Sequence, residues 1–267
     1  MAGRCGIQAT GYPTRVTEPT SNCARLAAQP VADGGTPVEL WTSWRRRLAP
    51  LNLDHCPALI LVAAHPDDET LGLGATAAVL AARGVAVDVV AVTDGEAAYP
   101  QNASAREELA RVRREELVAA AARLGLPRPQ FLGIPDGEVA DHEDRLVIEL
   151  EAVLAEAQPG AWCAAPWRGD GHPDHEATGR AAALASRDDT PTVLIEYPVW
   201  MWHWALPDDP AVPWGSAHRM PLMPADTTAK AEALQCFSSQ LQRATGPPLL
   251  PQAIVERALA VGEIVFV

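Results

Sequence analysis

An uninterrupted apolar segment that runs into a cluster of ionisable residues constrains the fold of this chain most. The segment Ala58–Ala64 reads ALILVAA. Four ionisable side chains follow it within five residues: His65, Asp67, Asp68 and Glu69. A strand without polar alternation needs apolar cover on both faces, as in the parallel sheets of α/β proteins. We therefore predict a buried strand whose carboxyl end carries a polar site.

Strands and helices alternate along the rest of the chain. Strands are predicted at Val85–Val92, Phe131–Ile134, Trp162–Ala165, Thr192–Tyr197 and Glu263–Val267. Helical patterns are predicted at Leu71–Arg83, Ala105–Leu124, Arg145–Ala157, His175–Ser186, around Asp226–Arg243, and at Gln252–Ala260. This alternation predicts a single-domain, Rossmann-like α/β fold with a mainly parallel sheet and helices on both faces. Ligands of such sheets bind beyond the carboxyl ends of the strands.

The amino-terminal part of the chain differs in texture from the rest. Residues 1–37 are rich in Pro, Gly, Thr and Ala without a sustained period, whereas Val38–Leu53 shows a short helical spacing of apolar residues. We predict that residues 1–55 are an extension, partly disordered or packed on the surface. Residues 56–267 are predicted to form the α/β domain.

Charge and cysteine content limit the partners and the compartment. The formal net charge is -13 at pH 7, and nucleic-acid binding needs a basic surface, so a nucleic-acid partner is not expected. No apolar run approaches the ~18 residues of a transmembrane helix, and the first 20 residues show no signal-peptide core. The five cysteines are odd in number and lack a CxxC spacing. The sequence thus predicts a soluble cytoplasmic protein without a disulfide framework.

The first polar cluster suits a metal ion. Burying several charges beside a buried strand is costly, and a divalent cation offsets that cost. Histidine nitrogen and carboxylate oxygen suit Zn²⁺, although oxygen-rich sets also take Fe²⁺, Mn²⁺ or Co²⁺. The simpler alternative is that the acidic residues cap the following helix, where Asp and Glu are favoured. Capping alone does not account for His65.

A second cluster, Asp170–His175, follows another predicted strand and reads DGHPDH. A polar turn with an aspartate cap is the simpler interpretation of this segment alone. Because the carboxyl ends of parallel strands share one sheet edge, however, we expect the two clusters to meet there. Three protein ligands and an open position at that edge are typical of a catalytic zinc site.

These motifs resemble those of the PIG-L/LmbE-like deacetylases, the family of N-acetylglucosaminyl-phosphatidylinositol de-N-acetylase. The resemblance rests on AHPDDE at Ala64–Glu69 and HPDH at His172–His175. Further matches extend it over roughly Cys56–Arg243: Thr93–Glu96, Arg113, Glu116, Leu117, Leu132–Gly137, Ser239 and Gln240. It implies a metal-dependent hydrolase that removes an N-acetyl or N-acyl group from a small amino-sugar substrate, such as an N-acetylglucosamine conjugate.

The resemblance also implies roles for individual residues. It implies three ligands for zinc or another divalent transition metal: His65, Asp68 and His175. Asp67 matches the general base and His172 the general acid, which amide cleavage needs because an amide anion is a poor leaving group. Asp174 is expected to orient His172 by a hydrogen bond and to raise its pKa.

Several residues are candidates for substrate binding. Asp170 stands where some family members have a tyrosine, and it is expected to support a histidine ligand or to bind sugar hydroxyls. The stretch 197–204 suits stacking on sugars, with core packing or a homo-oligomer contact as alternatives; its candidates are Trp200, Trp202 and His203. Arg106, Arg111 and Arg113 can anchor a phosphate or carboxylate, but pairing with glutamates on the helix surface is the simpler interpretation.

Other functions remain open from the sequence. The segment Gly72–Ala77 reads GLGATA and mimics a dinucleotide fingerprint, which would make the protein a nucleotide-binding oxidoreductase. In that fingerprint the glycines form the turn directly after the strand, whereas here they fall inside the predicted helix, where small residues allow close packing. A hydrolase of another amide or ester in natural-product metabolism, and a non-catalytic metal-binding module, are further alternatives.

Overall fold

The computed structural model describes residues 21–99, 102–187, 192–243 and 246–267. Within these ranges seven strands form one sheet: β1 (Ala58–Ala63), β2 (Ala86–Ala91), β3 (Gln130–Phe131), β4 (Trp162–Pro166), β5 (Val193–Tyr197), β6 (Ala217–Arg219) and β7 (Ile264–Phe266). Their order is β3-β2-β1-β4-β5-β7-β6. The first five strands are parallel, whereas β7 is antiparallel to β5 and to β6. The predicted mainly parallel α/β fold is confirmed, and the antiparallel edge is an addition to it.

The helices of the described ranges are α1 (Asn22–Ala27), α2 (Val38–Trp44), α3 (Asp68–Ala82), α4 (Ala103–Arg123), α5 (Glu143–Ala155), α6 (Pro173–Ala185), α7 (Met201–Trp204), α8 (Thr227–Leu234), α9 (Ser238–Leu241) and α10 (Gln252–Ala260). Across these ranges, every helix is too short or too polar to cross a membrane. The sequence predicts a single helix around Asp226–Arg243, and this prediction is wrong because residues 235–237, between α8 and α9, are not helical. The change of direction at these residues brings the backbone N–H of Ser239 to 2.7 Å from the carboxylate of Glu116.

Strand β1 is covered on both faces, as its composition predicts. Leu59 and Leu61 pack into a core with α3, α4 and α8, whereas Ile60 and Val62 pack into a second core with α5 and α6. All six residues of the strand are buried. The strand therefore ends in a region from which solvent is already largely excluded, and this is where the first polar cluster begins.

Part of the amino-terminal extension packs on the domain. The side chain of Trp41 in α2 is 0% exposed, and its indole N–H donates to the carbonyl of Trp202 at 3.0 Å. Trp41 belongs to a third apolar cluster that also includes α7 and β7. Residues 1–20 of the predicted extension lie outside the described residues, and its boundary at residue 55 stays a prediction.

Gly72 lies inside α3 at a position where no side chain fits. A Cβ atom at this position would lie 2.2 Å from Cδ2 of Tyr197, whose ring crosses the helix there. We expect Gly72→Ala to lower the free energy of unfolding by about 1–3 kcal/mol, the usual cost of overpacking. The matched control is Gly215→Ala, because Gly215 has no atom within 4 Å of the added carbon. Urea denaturation of both variants measures the difference, and equal stabilities would contradict the packing account.

Candidate active site

The two polar clusters lie at the carboxyl ends of neighbouring strands. The first connects β1 to α3, and the second connects β4 to α6. Asp67, the residue before α3, has φ 141° and ψ -27°, a conformation that non-glycine residues rarely adopt. Strained backbone of this kind concentrates at functional sites, where the surrounding structure holds it in place. Here the carboxylate of Glu69 accepts the backbone N–H of Asp67 at 3.1 Å.

Three side-chain atoms from the two clusters form a nearly equilateral triangle. Oδ2 of Asp68 lies 3.3 Å from Nδ1 of His65 and 3.2 Å from Nε2 of His175. The two histidine nitrogens are 3.3 Å apart. Tetrahedral zinc with ligand bonds of ~2.0–2.2 Å has edges of roughly 3.3–3.6 Å between its ligand atoms. The donor set and its spacing therefore fit a divalent metal ion.

Two further groups of possible ligand atoms also occur among the described residues. One joins His65 and His175 with His172, and the other joins His65 with Asp136 and Asp174, with all ligand atoms of a group within 4.8 Å of one another. The triangle that includes Asp68 has all three edges at 3.2–3.3 Å and uses a different nitrogen of His65 from the one that faces Asp136 and Asp174. The predicted ligand set His65, Asp68 and His175 is therefore brought together in the structure.

Carboxylates behind the triangle orient both histidines. Asp170 accepts from Nδ1 of His175 at 2.8 Å, and both side chains are completely buried. Asp170 also accepts three backbone N–H groups, from Val199, Trp200 and Met201. Its oxygens therefore support His175 and are enclosed, which favours this role over the binding of sugar hydroxyls. Carboxylates behind ligating histidines typically fix the tautomer and ring orientation.

The buried residues of the triangle shift one another's pKa values. Burial raises the pKa of Asp68, but the positive charge and hydrogen bonds of His175 and His65 outweigh burial and hold this pKa well below its usual range. Burial lowers the pKa of His175, yet Asp68 and Asp170 raise it to about 9. The carboxylate of Asp68 is thus ionised at neutral pH and ready to bind a cation.

Asp67 titrates differently from its neighbour. Burial and the adjacent charge of Asp68 raise the pKa of Asp67 well above its usual range, while the Arg113 guanidinium opposes this shift. Nη2 of Arg113 lies 3.7 Å from Oδ2 of Asp67. A carboxylate with a raised pKa takes up protons readily, which suits a general base.

His172 and Asp67 line the cleft that lies above the triangle. The side chain of Asp174, however, does not orient His172 as predicted. The carboxylate of Asp174 contacts Nε2 of His65 at 3.1 Å and accepts the backbone N–H of Gly137 at 2.8 Å. Only the backbone N–H of Asp174 contacts His172, donating to Nδ1 at 3.3 Å. This bond leaves Nε2 as the nitrogen that carries the proton of neutral His172.

The expected upward shift of the His172 pKa is also wrong. The pKa of His172 is lowered to about 3, and burial is the largest cause. The positive charges of His175 and His65 contribute to this lowering, and Asp174 offsets only part of it. His172 is therefore neutral at neutral pH in the chain alone.

Known proteins resemble this chain in sequence and in fold. Residues 60–186 match the family model of PIG-L, described as GlcNAc-PI de-N-acetylase. This part of the chain is thus similar to the PIG-L family. The match includes most of β1, both polar clusters and all three atoms of the triangle.

Curated relatives of the chain are named 1D-myo-inositol 2-acetamido-2-deoxy-alpha-D-glucopyranoside deacetylase. One from Mycobacterium sp. (strain KMS) is 38% identical over 161 residues, which is 51% of this chain and 52% of the relative. Another from Mycolicibacterium gilvum (strain PYR-GCK) is 35% identical over 188 residues, which is 60% of this chain and 63% of the relative. The chain thus matches little more than half the length of these curated relatives.

Solved structures share the fold. A conserved protein from Thermus thermophilus superposes with a TM-score of 0.54 at 26% identity, covering 74% of this chain and 84% of that protein. The deacetylase Dbv21, which acts on the A40926 pseudoaglycone, superposes with a TM-score of 0.60 at 24% identity, covering 79% of this chain and 96% of that protein. The second likeness concerns the fold alone.

Arg113 is the main residue near the site whose position differs from the sequence-based prediction. Its side chain is 2% exposed, and it donates to the carbonyls of Gly95 at 2.8 Å and Pro66 at 3.0 Å. Gln240 donates to the same Pro66 carbonyl at 2.7 Å. Surface pairing is therefore wrong for Arg113, although it is right for Arg111, which pairs with Glu108 and Glu115. Arg113 and Gln240 instead hold the turn that carries Asp67.

The cleft above the triangle has a volume of about 280 Å³. Trp200 lines it, whereas Trp202 and His203 are buried in the fold and Arg106 is exposed on α4. Of the candidates Trp200, Trp202, His203 and Arg106, the structure thus places only Trp200 at the cleft. Lining residues that were not predicted to bind substrate are Leu71, Ala97, Ala98, Asp136, Gly137, Leu249 and Leu250. A larger cavity of about 700 Å³ lies at the opposite ends of β1 and β2, away from the ionisable clusters, and we assign it no role.

Proposed function

We propose that the chain is a metal-dependent hydrolase that removes an N-acetyl or N-acyl group from a small amino-sugar conjugate. One observation carries the proposal: the His65, Asp68 and His175 ligand atoms lie 3.2–3.3 Å apart beside two further ionisable residues, Asp67 and His172. Ligands alone describe a metal-binding module, whereas ligands beside an acid–base pair describe a hydrolase.

Zinc is the proposed ion, with another divalent transition metal as the alternative. His65, Asp68 and His175 would hold it, and their set of two nitrogens and one oxygen is common in catalytic zinc sites. When bound, such an ion polarises a carbonyl oxygen and makes water more acidic. Asp170 and Asp174 hold the outer nitrogens of the two histidines, so that the inner nitrogens face Asp68.

The side chains around the triangle supply the proton transfers. Asp67 accepts a proton from the attacking water, and its raised pKa lets it retain that proton. His172 presents Nε2 to the cleft, and its proposed role is to donate a proton to the leaving nitrogen as the C–N bond breaks. Because His172 is neutral in the chain alone, the proton that it passes to the leaving nitrogen is the one that Asp67 has taken from the attacking water, and the low pKa of His172 favours the release of that proton.

The substrate class follows from the relatives and the shape of the cleft. The curated relatives are named deacetylases of an N-acetylglucosamine–inositol compound. Trp200, Leu249 and Leu250 give the cleft an apolar wall, which suits the face of a sugar ring or an acyl chain. Asp136 lines the same cleft and can accept hydrogen bonds from hydroxyl groups.

Metal removal tests the proposal. We expect about one divalent ion per chain by elemental analysis, and we expect chelation to abolish acetate release from N-acetylglucosamine conjugates and added zinc to restore it. A panel of N-acyl sugars, sugar–inositol compounds, glycosylated natural products and simple esters identifies the acceptor. Metal-free protein with full activity, or a chain that hydrolyses none of these compounds, would contradict the proposed function.

A further inference from the structure

The only lysine of the chain is buried within the fold. Lys230 lies on α8, Glu263 directly precedes β7, and both side chains are 1% exposed. Nζ of Lys230 is 2.9 Å from Oε1 of Glu263. A fully buried ion pair is weak evidence for stability, because the cost of desolvating both charges offsets their attraction. The hydrogen bonds that the pair makes with the backbone are therefore more informative about its role than the pair itself.

Both charges bind the backbone of α3 where that helix is interrupted. Leu73 has φ -135° and ψ 20°, outside the helical range. Lys230 donates to the carbonyl of Leu71 at 2.7 Å, and Glu263 accepts the N–H of Ala75 at 2.8 Å. In a regular helix that carbonyl and that N–H pair with each other.

The carboxylate of Glu263 also binds the residue after Ala75. It accepts from the backbone N–H of Thr76 at 2.8 Å and from its hydroxyl at 2.6 Å. Side chains inserted into the hydrogen-bond ladder are a recognised cause of helix kinks. The ion pair therefore satisfies the backbone groups on both sides of the interruption and sets its position.

The interruption separates the first turn of α3 from the rest of the helix. That turn carries Asp68, and Asp67 precedes it with its strained backbone. The ring of Tyr197 packs against Gly72 just before the interruption, and its hydroxyl donates to the carbonyl of Val62 in β1 at 2.6 Å. The turn is thus held by β1, by Tyr197 and, at its end, by Lys230.

We propose that the Lys230–Glu263 pair is a positioning device for the site: it fixes the first turn of α3 so that Asp68 faces His65 and His175. Neither residue lines the cleft, so both act through the helix. The metal part of this inference rests on the proposed function. Close packing on either side of the kink accounts for the glycines of the GLGATA segment, since Gly74 lies beside Lys230 and Gly72 lies beside Tyr197.

The test compares Lys230→Met with Leu234→Ala, a variant that weakens the packing of the same helix, α8, without touching the ion pair. We expect Lys230→Met to lower Co²⁺ affinity, measured by its visible absorption, by about 10–100-fold, as supporting residues of metal sites do. We expect Leu234→Ala to lower the melting temperature and to leave Co²⁺ affinity unchanged. We also expect amide exchange in a peptide covering residues 68–76 to accelerate markedly in Lys230→Met alone.

Each outcome decides the inference. Equal Co²⁺ affinity in the two variants, or unchanged exchange over residues 68–76 in Lys230→Met, would overturn it. If Lys230→Met does not fold, Glu263→Gln serves in its place, because it keeps the volume and removes the charge. If the wild-type chain binds no Co²⁺, the proposed function fails, while the exchange measurement still decides whether the pair fixes the turn.

Discussion

Replacing Asp67 by asparagine is expected to lower kcat for N-acyl hydrolysis by about 10²–10⁴-fold, the usual contribution of a general base. The amide of asparagine cannot accept the proton that the carboxylate takes from water. The metal content is expected to stay near that of the wild-type chain, because the ligand triangle does not include Asp67. Steady-state kinetics and elemental analysis of one preparation measure both quantities.

Asparagine is the right substitution here because its side chain has the same shape as that of aspartate and adds no steric demand to the backbone. The backbone of residue 67, with φ 141°, is therefore expected to survive the change. The matched control is Asp94→Asn, since Asp94 lies at the same sheet edge but binds Arg114 and does not line the cleft. A kcat near the wild-type value in Asp67→Asn, or an equal loss in the control, would remove Asp67 from the proposed role.

The parallel part of the fold could be predicted because its signal is local. Strand β1 is apolar at every position, and such a strand is stable only between two layers of helices. The antiparallel edge could not be predicted in the same way. Strand β6 has three residues, Ala217–Arg219, with no alternation long enough to recognise, and its pairing with β7 depends on contacts distant in sequence.

In the candidate site, too, some residues could be placed from the sequence and others could not. His65, Asp68 and His175 are brought together because parallel strands deliver their carboxyl ends to one edge. Asp136 and Gln240 could not be assigned a contact from the sequence, since each reaches the site from a loop or short helix. Trp200 and Trp202 show the limit most clearly: two residues apart, one lines the cleft and the other is 8% exposed in the core. A pattern of tryptophans indicates aromatic surface but not its direction.

The second large effect is the loss of bound metal that we expect when Asp68, the proposed third ligand beside His65 and His175, is replaced. We expect Asp68→Ala to lose most of the bound metal, because Oδ2 of Asp68 lies 3.2–3.3 Å from both histidine nitrogens of the triangle. We expect His172→Ala to keep its metal and to lose about 10²–10⁴-fold in kcat, as expected for a missing general acid. Metal titration by calorimetry and kinetics at saturating zinc separate the two results.

The comparison is informative because His172 also lies close enough to be a ligand. Its ring centroid is 4.9 Å from that of His65 and 4.8 Å from that of His175. If His172→Ala loses the metal and Asp68→Ala retains it, the ligand set is three histidines, and the proton donor must be sought elsewhere.

The alanine variant at position 68 needs its own control, since Asp68 also accepts the backbone N–H of His65 at 2.8 Å. Asp68→Asn retains an oxygen that can accept this N–H, but it removes the negative charge that attracts a cation. Circular dichroism shows whether both variants are folded. Metal loss in both folded variants would therefore assign the effect to the missing carboxylate ligand, whereas loss in Asp68→Ala alone would assign it to a displaced His65.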